Sequence, residues 1–461
     1  MLIIKGIIRT HLGNKMNILF LITTLLSSQH TDALNGQNYL QSKDFAAPSF
    51  TLKAFNNLYK QWGLDSYPEP KIALQIFESR YGMHQAPYQN DYLPMGIKLA
   101  AFPFTFGAVK GIALDCLICH GGALDGKPYP GLGNNSLDLQ TFFEDMNKAD
   151  GNKKPLAFHF GNSRGTNEAG AVSVFLLGFR NPDLSLKTSW TNLGLNDDLH
   201  EDAPAWWLLK KKKSMYSTGG ADARSVRSVM QFMMSPLHGP DHFNTNEKKF
   251  ADLQAFMLSI QPPAYPFNID QSLASLGKEV FQNNCSKCHG TYGEKSNYPN
   301  RIIPLDVIGT DSKRFFGITK EFGRFYNSSW FSKEVEGWFS DDYKARETNG
   351  YQAPPLDGVW ATAPYLHNGS VPTIYSLLNS KARPKVFTRD FQNKFENYNQ
   401  KELGWNYQSK NNTEHLQNKD ITEQRKWYDT STPGRLNIGH TFGDNLTEQE
   451  RLQVLEYLKT L

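Results

Sequence analysis

The sequence predicts a mainly α-helical protein made of two similar halves, each lengthened by long loop insertions. Three observations lead there. All four cysteines fall into two copies of one pattern, Cys-x-x-Cys-His, within "LDCLICHGG" (114–122) and "NNCSKCHGT" (283–291). Each half closes on a run of apolar residues at helical spacing. Between the halves stands the proline-rich stretch "QPPAYP" (261–266), which stops one helix before the next begins.

In chain order, the first element is an apolar run, "NILFLITTLLSS" (17–28), preceded by Lys5, Arg9 and Lys15 and followed by the small Ala33. Residues 1–35 are expected to be a cleaved signal peptide, since the run is short for a membrane span and has a positive flank. Met16 would begin a tidier leader than Met1, and an uncleaved anchor is the alternative. Nothing after residue 35 is apolar over a membrane-spanning length. The product is thus expected in the periplasm or outside the cell.

Composition sets the outer bounds. In 461 residues, 39% are apolar, which suits an ordinary packed core, and the net charge of +4 is too small for a nucleic-acid partner. An exported chain with four cysteines would ordinarily suggest two disulfides. Here each pair is two apart with histidine next, the attachment signature of c-type haem: two thiols bind the porphyrin and the imidazole lies beneath its iron. One zinc shared by the four thiols would leave the repeated histidine without a purpose. The cofactors expected are two covalently bound haem c groups, held by Cys116, Cys119 and His120 and by Cys285, Cys288 and His289. The sequence neither requires nor excludes calcium.

The first half is placed at 36–263. It contains a lysine run, Lys210–Lys213, that could dock an acidic partner but ordinarily marks a solvated face. The stretch "ARSVRSVMQFMMSPLHGPDHF" (223–243) reads as a helix with a Val-Met-Phe-Met face, suited to wall a haem, with Arg224 and Arg227 placed to pair with propionates. Phe250, Leu253, Phe256, Met257 and Ile260 then give the closing helix. The second half is placed at 268–461. Gly277 and Phe281 share a helix face just ahead of the second motif. Thr447 and Glu450 form a capping box before Val454, Leu458 and Leu461. Residues 381–435, rich in Asn, Lys and Gln, read as long polar loops.

The far side of each iron decides the function. All ten methionines lie at or before Met257, so none from the second half can ligate there. Of the later histidines, His415 reads as solvated, and His367 and His440 are the candidates. The glycine-flanked His440 is preferred. For the first iron the choice stays open among His159, His200, His238, His242, Met146, Met215, Met230, Met233 and Met234.

With these residues in view, the chain resembles the dihaem cytochrome c peroxidase superfamily. The resemblance rests on the paired motifs and on "GVWATAPYLHNGSVPTIYSLL" (358–378). Within that superfamily, "GHTFGDNLTEQERLQVLEYLKTL" (439–461) and "RSVMQFMM" (227–234) look more like the rubber-oxygenase branch. The resemblance implies two cytochrome c-like haem domains with crossed terminal helices. It implies that the first haem, on His120, is the reactive centre with Phe232 over its open face, and that His289 and His440 hold the second as a bis-histidine relay. The peroxidases proper have a displaceable histidine soon after the first motif. Here the next is His159, which puts true peroxidase kinetics in doubt.

The expected activity is that of an exported haem oxidoreductase of peroxidase or dioxygenase type. Its partners would be peroxide or dioxygen, an apolar organic substrate, and a redox protein or small electron donor. The competing expectation is a non-catalytic dihaem electron-transfer cytochrome. Inserts as long as 121–245 and 291–440 count against it.

Overall fold

The computed structural model describes residues 29–43, 45–103, 109–156, 159–196, 198–333 and 343–461. Most of the expected leader, residues 1–28, lies outside the described residues. Residues 29–41 form a helix whose later part is buried through Tyr39 and Leu40. No helix among the described residues is long and apolar enough to cross a membrane.

Two helix crossings organise the molecule. In the second half, the helix Gln271–Asn284 starts from Asp270, whose side chain caps the amides of Ser272 and Leu273. It crosses the C-terminal helix Glu448–Leu458, which opens with the complete Thr447–Glu450 capping box. The crossing point is Gly277: a Cβ there would fall onto the carbonyl of Gln453. One turn on, Phe281 meets Tyr457 at 5.2 Å between ring centroids, and Val454, Leu455 and Leu458 complete the seam.

The first half has the same device. Its closing helix, Pro240–Ser259, buries Phe243, Phe250, Leu253 and Met257 and ends before Pro262. The helix 29–41 crosses it at Gly36, where a Cβ would fall onto the carbonyl of Asp252. Leu40, four residues on, takes the place that Phe281 has in the second half. Tyr39 and Phe45 flank Phe250 at 5.7 and 5.6 Å.

Between the first helix and the first motif lies an insert. It contains a three-stranded antiparallel sheet, with Lys110–Leu114 between Phe50–Thr51 and Ile97–Ala101, and the helix Pro70–Tyr81. Phe77, Tyr81 and Phe142 of the helix Leu139–Ala149 form its core. Lys98 of the sheet is 2% exposed and pairs with the fully buried Asp115 at 2.8 Å. It also donates to the carbonyls of Leu40 and Ser42. One ammonium thus ties the C-terminus of the first helix to the residue before Cys116.

Helices dominate, as expected, but short strands are more numerous than the sequence suggests. The polar segment 381–435 is not simply loops. Val386–Arg389 pairs antiparallel with both Tyr407–Lys410 and Tyr428–Asp429, and Phe387 stacks on Tyr428 at 5.3 Å. Strands of two to four residues are too short to show an alternating pattern amid Asn and Lys. The halves also share their cores. Phe322, Tyr326 and Phe331 pack in the core of the first half, while Leu124, Leu132 and Trp207 pack in that of the second.

Candidate haem sites

Both motifs take one local form. Cys116 caps the single helical turn Leu117–His120, and Cys285 caps Ser286–His289. The amide of each histidine donates to the carbonyl of the first cysteine at 3.0 Å. In such a turn, positions i, i+3 and i+4 share one side, so both thiols and the imidazole face the same space. The four cysteines are unbridged. Burial raises the Cys116 and Cys119 thiols to about 12 and Cys285 to about 11.

The histidines are oriented identically. Nδ1–H of His120 donates to the carbonyl of Pro204 at 3.1 Å, and that of His289 to the carbonyl of Pro354 at 2.9 Å. A carbonyl only accepts, so Nδ1 carries the proton and Nε2 keeps its lone pair for a metal. Burial lowers His120 to about 4 and lowers His289 in the same direction. Both rings are therefore neutral, as ligands must be. A fixed imidazole with two thiols beside it fits covalent haem in each half.

The far sides differ. His440 faces His289, with ring centroids 6.2 Å apart. Two imidazoles bound on opposite sides of one metal at about 2 Å per bond would have centroids about 6 Å apart. Burial and the neighbouring His289 lower His440 to about 4. Its loop is held by the His440 amide donating to the carbonyl of Ile308 and by Arg383 donating to the carbonyls of Asn437 and Gly439. Cys288 packs on Ile303, Ile308, Tyr351 and Ala353. His367, the other candidate, stacks on Tyr351 at 4.0 Å. His415 is exposed beside Trp427.

Around His120, no second imidazole comes within ring contact among the described residues. Its aromatic neighbour is Trp206, at 5.1 Å. Met146 is in the core of the N-terminal insert, and Met215, Met230, Met233 and Met234 pack in the main core of the first half. His238 and His242 stack on each other at 3.5 Å, and His159 is exposed. Phe232 is half-buried in the 3-10 turn Gln231–Met233 and meets Tyr216 edge-on at 6.1 Å. Burial raises both the Tyr216 hydroxyl and the Cys119 thiol, and the Glu201 charge adds to each.

Two expectations need correction. Arg224 and Arg227 are engaged by carboxylates: Arg224 makes a forked pair with Asp222, and Arg227 one with Glu247 while lying 3.9 Å over Trp330. They are not propionate partners in waiting. The lysine run is no uniform solvated face either. Lys211 bonds Asp357 at 2.7 Å and covers the Tyr292 ring, and burial lowers Lys212 to about 8.

Sequence reasoning missed Pro204, Pro354 and Trp206. A signal was present: each carbonyl belongs to an Ala-Pro pair, Ala203-Pro204 and Ala353-Pro354, following its motif. Beyond Trp206, the Trp207 indole donates to the carbonyl of Asp357 at 2.8 Å. Asp357 bonds Lys211, which lies over Tyr292, and the Tyr292 hydroxyl donates to the carbonyl of His289 at 3.0 Å. A packed, hydrogen-bonded path thus links the two motifs.

Comparison with known proteins bears on the second half most directly. Residues 274–330 match the family model for cytochrome c, and residues 350–388 match one described as RoxA-like, cytochrome c-like. The chain is similar to two uncharacterized proteins of Sinorhizobium fredii. It is 29% identical to y4iJ over 266 residues (44% of this chain, 41% of that protein) and 36% identical to y4iM over 154 residues (29% and 34%). It thus spans less than half the length of each. The geometry and the matched segments together support a haem c-containing redox protein of the cytochrome c and RoxA-like kind, with iron held through a covalently bound porphyrin.

Proposed function

We propose that the chain is an exported dihaem c-type cytochrome with oxidoreductase activity. The haem on Cys116, Cys119 and His120 would be open to peroxide or dioxygen, and the one on Cys285, Cys288, His289 and His440 a six-coordinate electron relay. The observation that carries this reading is the asymmetry: His440 stands opposite His289, and no described imidazole stands opposite His120.

The chain's own residues have distinct parts. The Pro204 and Pro354 carbonyls hold the proximal rings and fix the proton on Nδ1. Phe232, beside the buried Met233, presents apolar surface that suits an apolar organic substrate and keeps water out. Trp206, Trp207, Asp357 and Tyr292 supply the path by which an electron from a redox protein or small donor would pass between the sites. The apolar run 17–28 behind three basic residues supports export to the periplasm or beyond.

The test is spectroscopic. The reduced full-length protein should bind carbon monoxide at one haem only, with the other low-spin throughout. Two low-spin haems inert to carbon monoxide and peroxide would leave a plain electron carrier. Mass spectrometry should show two haem additions and a new N-terminus near Ala33.

A further inference from the structure

We propose that Glu168, Asp198 and His200 form a site for one divalent transition-metal ion, with zinc the ion whose ligand preferences fit best. Glu168 immediately precedes the helix Ala169–Leu177, and Asp198, at φ +58°, and His200 lie on the irregular segment leading to Pro204. A carboxylate oxygen from each acid and an imidazole nitrogen lie within 4.8 Å of one another. Among the described residues no other three such side chains come so close.

Burial makes this more than an acidic cluster. Glu168 and His200 are each 1% exposed. Nδ1 of His200 lies 3.3 Å from the carbonyl of Asp198 and can only donate to it. Nε2 therefore keeps its lone pair, and that atom is buried with no hydrogen-bond partner. This is the tautomer control seen at His120 and His289, on a histidine with no cysteine motif near it in sequence.

The surroundings hold the ligands in place. Asn162 Nδ2 donates to the Asp198 carboxylate at 2.6 Å. Gly434, from the loop before the C-terminal helix, closes over the site: a Cβ there would lie 2.7 Å from the Asp198 carbonyl oxygen and 3.7 Å from His200 Nδ1. One imidazole and two carboxylates suit zinc, which takes nitrogen and oxygen ligands and accepts water in a fourth position. Oxygen-seeking calcium has no use for the imidazole. Lys313 and Arg435 also face His200. They are the rival counter-charges, and the experiment separates them from a metal. A bound ion would pin the segment before Pro204 under a loop of the second half.

The full-length protein with its haems attached is equilibrated with Zn2+, freed of excess by gel filtration, and analysed for zinc by mass spectrometry. Haem is counted separately on the same sample, so zinc uptake reads this site whatever the haem number. Wild type should retain about one zinc per chain and unfold at a higher temperature than after chelation. His200→Ala should lose both the zinc and the chelator-sensitive shift. His200→Gln, closer in volume, should do the same and serves if the alanine variant does not fold. Wild type that retains no zinc and ignores the chelator overturns the proposal. So does a His200 variant that retains as much zinc as wild type.

Discussion

Replacing His440 with glycine tests the ligand role proposed for this residue apart from its part in the fold. His440 sits at φ +46°, where a residue with a Cβ is strained by about 1–2 kcal/mol. Glycine removes that strain, but its freer unfolded chain offsets about 0.5–1 kcal/mol of the gain. Loss of the half-buried ring removes apolar contact worth at most about 1–2 kcal/mol. These terms leave a net cost of at most about 2 kcal/mol, so His440→Gly should fold. What disappears is the nitrogen facing His289. Optical and electron paramagnetic resonance spectra should then show one additional high-spin haem, and carbon monoxide uptake should rise from one to two equivalents per chain. Free imidazole should diffuse into the vacated space and restore the low-spin spectrum. His367→Gly, which removes a ring stacked on Tyr351, should leave the spectrum unchanged. Should His440→Gly keep the wild-type spectrum, or His367→Gly lose it, the ligand assignment is wrong.

Three further outcomes follow from the packing. Gly36→Val and Gly277→Val should each destabilise by about 2–4 kcal/mol in urea unfolding, since a crossing closed by backbone contact must open by on the order of 1 Å; two neutral substitutions would show that the helices do not cross there. Lys98→Met leaves Asp115 buried without its partner and should cost about 3–5 kcal/mol, with unfolding free energy as the readout, whereas Lys98→Met with Asp115→Asn should recover much of the loss. Burial lowers both His238 and His242 from 6.5 to about 4. The unfolded chain therefore takes up protons first as pH falls, so stability should be full above pH 6.5 and decline between 6.5 and 4 by up to about 1.4 kcal/mol per unit per ring, less for the more exposed His242. The double variant His238→Gln, His242→Gln should flatten that decline in urea midpoints measured from pH 7 to 5, and an unchanged slope would mean other groups cause it.

Features that depend on neighbours in sequence were legible; those that depend on neighbours in space were not. The thiol–imidazole turns, the capping box at Thr447 and the crossing glycine Gly277 each show themselves within a few residues. The absence of methionine from the second half narrowed the choice there to His367 and His440, and only the preference for His440 rested on its glycine-flanked loop. Gly36 was hidden by its position at the edge of the apolar leader, where a helix of the mature fold does not announce itself. Pro204 and Pro354 act through backbone oxygen atoms 84 and 65 residues beyond their histidines, and a carbonyl leaves no trace in side-chain chemistry. Arg224 and Arg227 misled for the converse reason. Asp222 claims one from two residues away, but Glu247 reaches the other from the next helix.

The two halves repeat one module and differ in what precedes its closing helix. Each has a glycine crossing, a thiol–imidazole turn and a proline carbonyl behind its histidine. They part at the closing helix. In the second half, a short loop before that helix turns through His440 in a left-handed conformation, which aims the ring at His289. In the first, the corresponding stretch carries Phe232, Met233 and Met234, then the stacked pair His238 and His242, and Arg180 donates to the carbonyls of Ser235 and His238. His238 and His242 stack face to face there at 3.5 Å, and neither comes into ring contact with His120, whose aromatic neighbour is Trp206. Tyr216 fixes the turn that carries Phe232: its hydroxyl donates to the carbonyl of Ser228 and accepts from Gln231 Nε2 at 2.8 Å. Tyr216→Phe should loosen the turn without touching either motif, broadening the carbon monoxide spectrum of the first haem while the low-spin spectrum assigned to the second is unchanged. Equal change at both haems would show that Tyr216 acts on global stability rather than on the open face.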